Sequence, residues 1–122
     1  MKPSLIEKKN QNPNDIFVDY EIAIENLKIE NYHEFIKHAE YFLFRSNEFG
    51  FYQIMTHYNL SRVHYLINNG EYALKHILIC LANQPVCKLF WETLSEYYSN
   101  TNKAKVFREI ASLISKEEDY LN

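Results

Sequence analysis

Residues 54–87 can be laid over residues 88–121 without a gap, a shift of 34 positions that pairs His57 with Trp91, Leu60 with Leu94, Ser61 with Ser95 and His64 with Tyr98. A period of that length is one helix-turn-helix unit. Such units cannot bury their apolar faces alone and do so by stacking on a neighbour. The repeat therefore specifies a kind of scaffold, while no residue pattern in it establishes a reaction.

A chain of 122 residues has room for one domain and one core. Hydrophobic residues make up 47%, which argues against disorder, and only two glycines and three prolines interrupt it. Two of those prolines, Pro3 and Pro13, fall within the first fourteen residues. Residues 1–14 are polar and lack a sustained period, so they are expected to form a flexible tail, and residues 15–122 a single helical domain.

Six helices are expected after the tail. The first begins at Asp15, placed to cap it, and presents Ile16, Tyr20, Ala23, Ile24 and Leu27 at helical spacing. The second begins at Asn31, whose spacing from Glu34 is that of a capping box, and carries Tyr32, Phe35, Ile36, Ala39, Phe42 and Leu43. Residues 46–50 read as a loop. The third helix covers about residues 51–67, with Leu60, Val63, His64 and Ile67 as its core stripe, and the run Asn68-Asn69-Gly70 stops it because Asn and Gly tolerate the left-handed conformation of helix ends. Residues 71–83 form the fourth, with Ala73, Leu74, Ile77, Leu78 and Leu81 on its face; Pro85 ends it. The fifth covers 86–99 and the sixth 103–120, with Glu117 to Asp119 fraying into solvent. Six helices with short breaks pair as three antiparallel hairpins.

These residues resemble the tetratricopeptide repeat family. Its units place a large residue, then Leu with a small residue, then an aromatic on the first helix, followed by Ala and further apolar positions on the second and a Pro at the exit. Residues 54–87 supply His57, Leu60, Ser61, His64, Ala73, Ile77, Cys80 and Pro85; residues 88–121 supply Trp91, Leu94, Ser95, Tyr98, Phe107, Ala111 and Ile114. His57 and His64 stand where the family has aromatics, and Phe107 where a small Ala is expected. The hairpin before residue 54 does not hold this register.

The resemblance implies a TPR-like α-α superhelix that binds a peptide or protein on a concave face built from the first helix of each unit. Its binding residues would then be Met55, Tyr58, Asn59, Arg62 and Tyr65, followed by Leu89, Glu92 and Glu96. An Asn such as Asn59 can pair with an extended backbone through its donor and acceptor. Arg62 would add a bidentate grip on a carboxylate, or would simply pair with Glu92 or Glu96. The role expected is that of a non-catalytic adaptor or chaperone-like module, the alternative being an oligomeric regulatory or inhibitory protein acting through an apolar surface.

A net charge of -3 and no Lys/Arg cluster argue against nucleic-acid binding. No apolar run approaches the ~20 residues of a membrane span, and a cytoplasmic location without membrane association is expected. Cys80 and Cys87 read as reduced core residues. The five histidines lack the spacing of a helical zinc site, and the glycines Gly50 and Gly70 precede no phosphate-loop motif. No cofactor, metal or catalytic residue is expected. A Cys-His nucleophile formed by His76 with Cys80 or Cys87 has no local signature. The second expected helix carries more aromatic surface than one neighbour should cover, namely Tyr41 and Phe44 with Phe49 and Phe51 beyond it, which predicts a homodimer or an obligate partner.

Overall fold

A computed structural model describes residues 4–122. The described residues form seven α-helices and no strand: α1 (Leu5–Gln11), α2 (Ile16–Lys28), α3 (Tyr32–Arg45), α4 (Phe51–Leu66), α5 (Gly70–Asn83), α6 (Lys88–Tyr97) and α7 (Asn102–Leu113). The three expected hairpins are α2/α3, α4/α5 and α6/α7. Two compact units divide the chain, one ending at Thr56 and the other beginning at His57. The sequence by itself suggests one domain from residue 15.

In the first unit, α1 occupies part of the stretch expected as a tail. Ser4 and Glu7 form a reciprocal capping box that satisfies its first free donors. Lys9 reaches the buried carboxylate of Asp19 on α2 at 2.6 Å, and His38 of α3 approaches the other carboxylate oxygen at 3.3 Å. A carboxylate that is 1% exposed needs such partners, because desolvating it unpaired would cost several kcal/mol. The sequence pattern misses α1 because it is short, and its docking is ionic rather than apolar. Asp15 caps α2 as expected, accepting from the Phe17 amide at 3.0 Å. The core of this unit includes Val18, Ala23, Phe35, Ala39, Phe42 and Ile54. Each buried Phe contributes roughly 1.5–3 kcal/mol relative to an exposed one.

The turn between α2 and α3 corrects the capping box expected at Asn31. The Asn31 amide donates to the Asn26 carbonyl at 2.8 Å and the Glu30 amide to Leu27 at 3.1 Å, the paired bonds of a Schellman motif, with Glu30 left-handed at φ 59°. With its N–H already taken, Asn31 has no use for Glu34, and its own side chain makes no cap bond. Glu34 instead lies 3.5 Å from His38. The same motif closes α4: Asn69 donates to His64 at 2.7 Å and Asn68 to Tyr65 at 3.2 Å, with φ of 65° at Asn68.

In the second unit the buried residues include Leu60, Val63, Ala73, Ile77, Cys80, Cys87, Phe90, Leu94, Ala104 and Ala111. Ile67 and Leu78, expected in the core, are exposed. Ile67 lies past the last residue of α4, and Leu78 falls outside the face of α5 that carries Ala73, Ile77 and Cys80. The last helix also ends earlier than expected, at Leu113. The chain beyond turns back to α6, where the Tyr120 amide donates to the Val86 carbonyl at 2.9 Å and the Lys88 amide to the Asp119 carboxylate at 3.3 Å. Asp119 thus sits at the positive end of the α6 dipole, where a carboxylate is favoured, rather than fraying from a helix C-terminus.

Candidate functional site

Two buried serines define the joints of the second unit. Ser61 on α4 donates to the Ala73 carbonyl of α5 at 2.6 Å, and Ser95 on α6 donates to the Ala104 carbonyl of α7 at 3.0 Å. Small side chains here let the paired backbones come within one hydroxyl of each other. The donors are 34 residues apart, but the acceptors, 73 and 104, are 31 apart. The two hairpins therefore correspond only if the second helices are shifted by three residues relative to the gapless overlay. Ala104, not Phe107, is the small residue at this joint.

With that register, His76 corresponds to Phe107, and each hairpin holds a three-ring cluster. In α6/α7 it is Trp91, Tyr98 and Phe107, with ring centroids 6.1 Å apart for Trp91–Phe107 and 5.6 Å for Tyr98–Phe107. In α4/α5 it is His57, His64 and His76. His57 and His76 have centroids 5.1 Å apart, and their Nδ1 atoms approach to 2.9 Å. His64 stacks on His76 at 5.8 Å with planes 6° apart, and on Tyr72 at 5.3 Å. Its Nδ1 lies 3.4 Å from the side-chain Nδ2 of Asn69. Sequence reasoning places His57 and His64 on one face and misses His76, because the gapless overlay aligns the wrong residue to it.

Burial holds His57 and His76 neutral. Desolvation depresses the His57 pKa from 6.5 to about 4. The His76 pKa is likewise lowered to about 4, by desolvation first and then by His57, His64 and Lys75. The 2.9 Å contact between Nδ1 atoms accordingly joins two neutral rings, one donating and one accepting.

Of the residues expected to bind a partner, α4 and α6 bring several together. Arg62 donates to the Glu96 carboxylate at 2.7 Å. Tyr65 stacks on Tyr97 at 4.4 Å, and Tyr58 lies 5.7 Å from Phe90. Tyr97, absent from the sequence-derived set, ties this face to the joint below it through a 2.7 Å contact with the Ser61 hydroxyl. Asn59 and Leu89 are half-buried, and Glu92 is exposed. Met55 belongs to the part of α4 that falls in the first unit. Burial alone would lower the Arg62 pKa, but hydrogen bonding and charge from Glu96 raise it above its ordinary value.

In the first unit Phe44 is 88% exposed, and Tyr41, Phe49 and Phe51 are exposed as well. Tyr41 is flanked by cations: Arg45 donates to its hydroxyl at 3.0 Å, and Lys9 lies 5.0 Å from its ring centre. Clefts of about 420 and 400 Å³ lie against α1, lined by Leu5, Tyr20 and Ile24 and by Leu5, Ile22 and His38 respectively.

Cys80 and Cys87 are fully buried thiols outside any disulfide. Burial pushes the Cys80 thiol up to about 12 and raises that of Cys87, the opposite of what a nucleophile needs. Among the described residues, no three His, Cys, Asp or Glu side chains are grouped to hold a metal ion, and no helix is long and apolar enough to cross a membrane. No protein-family model, curated protein or solved structure matches this chain.

Proposed function

We propose that this chain is a tetratricopeptide-type helical-repeat module that binds a protein or peptide partner without catalysis, on the face carrying Tyr58, Asn59, Arg62, Tyr65, Leu89, Glu92 and Glu96. The observation that carries this reading is the repeated serine-to-carbonyl joint, which gives α4/α5 and α6/α7 the same construction and sets their first helices to present side chains side by side. The Arg62–Glu96 pair supports it energetically. Its side chains are 31% and 50% exposed, and a pair of that kind contributes only about 0–1 kcal/mol. A partner carboxylate can therefore replace Glu96 at little cost. Tyr58 and Tyr65 add broad contact area with few rotors to freeze.

The test is to replace Tyr58 and Arg62 by Ala and to compare partner capture from lysate with mass by light scattering. Lost capture at unchanged mass is the expected result, and unchanged capture refutes the groove. A second reading, self-association through an apolar surface, is favoured by the exposure of Phe44 beside Tyr41, Phe49 and Phe51. Under that reading the parent chain is dimeric and Phe44→Glu makes it monomeric.

A further inference from the structure

Packing does not require histidine in the α4/α5 cluster. The corresponding places of the next hairpin hold Trp91, Tyr98 and Phe107, which fill the same kind of space with rings that carry no basic nitrogen. Three of the chain's five histidines are nevertheless gathered in this one cluster. What imidazole adds over those rings is a lone pair that binds protons and metals.

We propose that His57 and His76 form a two-nitrogen chelate for a divalent copper or nickel ion, bound through their Nδ1 atoms with water completing the coordination. The atoms come from two different helices that the Ser61 joint holds in register, so the separation is set by the scaffold. That separation is 2.9 Å. Metal–nitrogen bonds of about 2.0–2.1 Å to two atoms so spaced enclose an angle of about 90°, whereas a tetrahedral ion would need them about 3.3 Å apart. A right-angled pair of imidazoles suits the tetragonal preference of Cu(II) and Ni(II), and Cu(II) also stands highest in intrinsic affinity for nitrogen ligands.

Both rings are only partly buried, which leaves an approach for the ion. Both are neutral at pH 7, so neither must lose a proton before binding. The two nitrogens lie close to the line between the ring centres, 5.1 Å apart, so on binding the donating ring moves its proton to Nε2 and both rings turn until their Nδ1 lone pairs face the ion, with no net proton released. The charge of Lys75, which disfavours a proton on His76, also opposes the ion. Affinity must therefore come from the chelate.

The experiment uses the full chain without an affinity tag. CuCl2, NiCl2 and ZnCl2 are each titrated at pH 7.4 by calorimetry, and the Cu(II) complex is followed by its visible absorption. One ion per chain is expected, tightest for copper and weakest for zinc. His57→Phe and His76→Phe, each bringing in the ring chemistry of the next hairpin, should weaken copper binding at least tenfold; His33→Ala and His38→Ala should not. Absence of saturable binding, or equal affinity in the Phe variants, overturns the proposal. If those variants fail to fold, imidazole ¹⁵N spectra of the parent chain decide it. Nickel should broaden the His57 and His76 signals before those of His33 and His38, and the reverse order refutes the site.

Discussion

Acid should unfold the second unit well before its carboxylates explain the loss, because His57 and His76 bind protons more readily in the unfolded chain. Both have pKa values near 6.5 when unfolded and about 4 when folded. Above pH 6.5 neither state is protonated, so the stability of the neutral pair is fully present there. As pH falls from 6.5 towards 4 only the unfolded chain takes up protons, and stability declines; below about 4 the decline levels off. At 1.36 kcal/mol per pH unit, each ring would account for about 2.7 kcal/mol by pH 4.5. The rings share a contact, and each keeps some solvent, which screens the cost. We therefore expect about 3 kcal/mol for the pair. Desolvation by burial sets most of this for both rings, and for His76 the neighbouring His57 and His64 from α4 and Lys75 from α5 make the charged form worse. Urea unfolding in EDTA, followed by fluorescence of Trp91, the single tryptophan, reports this unit directly. In the His57→Phe/His76→Phe chain the slope between pH 6.5 and 4.5 should largely vanish. A parent chain whose stability is flat over that range, or a double variant with the parent's slope, refutes the reasoning.

Ser61→Ala should destabilise the second unit by about 1–2 kcal/mol, since it removes a buried donor from the Ala73 carbonyl and a partner from the Tyr97 hydroxyl. Ser61→Leu should cost more, because the joint leaves no space for a larger side chain; both are read as shifts in the urea midpoint of Trp91 fluorescence. Glu30→Gly should stabilise the first unit by about 0.5–1 kcal/mol, because Glu30 holds φ 59° at a Schellman turn where glycine carries no Cβ penalty. Urea titration followed by circular dichroism checks it, and a lowered midpoint contradicts the strain argument.

The fold was legible where one face is apolar at helical spacing. Phe35, Ala39 and Phe42 announce α3, and Ala73, Ile77 and Cys80 announce α5, since each set is buried on one side. The helix end read from Asn68 was also legible, because that residue takes a left-handed φ. What escaped was structure held by single polar contacts. α1 depends on Ser4, Glu7 and the reach of Lys9 to Asp19, and the segment after α7 on Asp119 meeting the α6 amide. Neither leaves a periodic trace, because one ion pair between residues ten apart has no repeat to detect.

The candidate site was half legible for a related reason. Adjacent first helices could be read from the 34-residue shift, and with them Glu92 or Glu96 as a pairing partner for Arg62, but the shift carries no information about the loop inside each hairpin. A three-residue difference there brings His76 into a cluster with His57 and His64. The Ser61 and Ser95 joints settle the register because a hydroxyl can bond only one carbonyl at 2.6–3.0 Å. Once the joints are matched, the scaffold parts of the two hairpins coincide while the rings packed over them differ in kind, three histidines against tryptophan, tyrosine and phenylalanine. Common joints account for common architecture and cannot account for that difference. Whatever distinguishes the first of these hairpins from the second in solution should therefore depend on imidazole chemistry, through protons or metal ions, and disappear when the three histidines are replaced by the rings of the second.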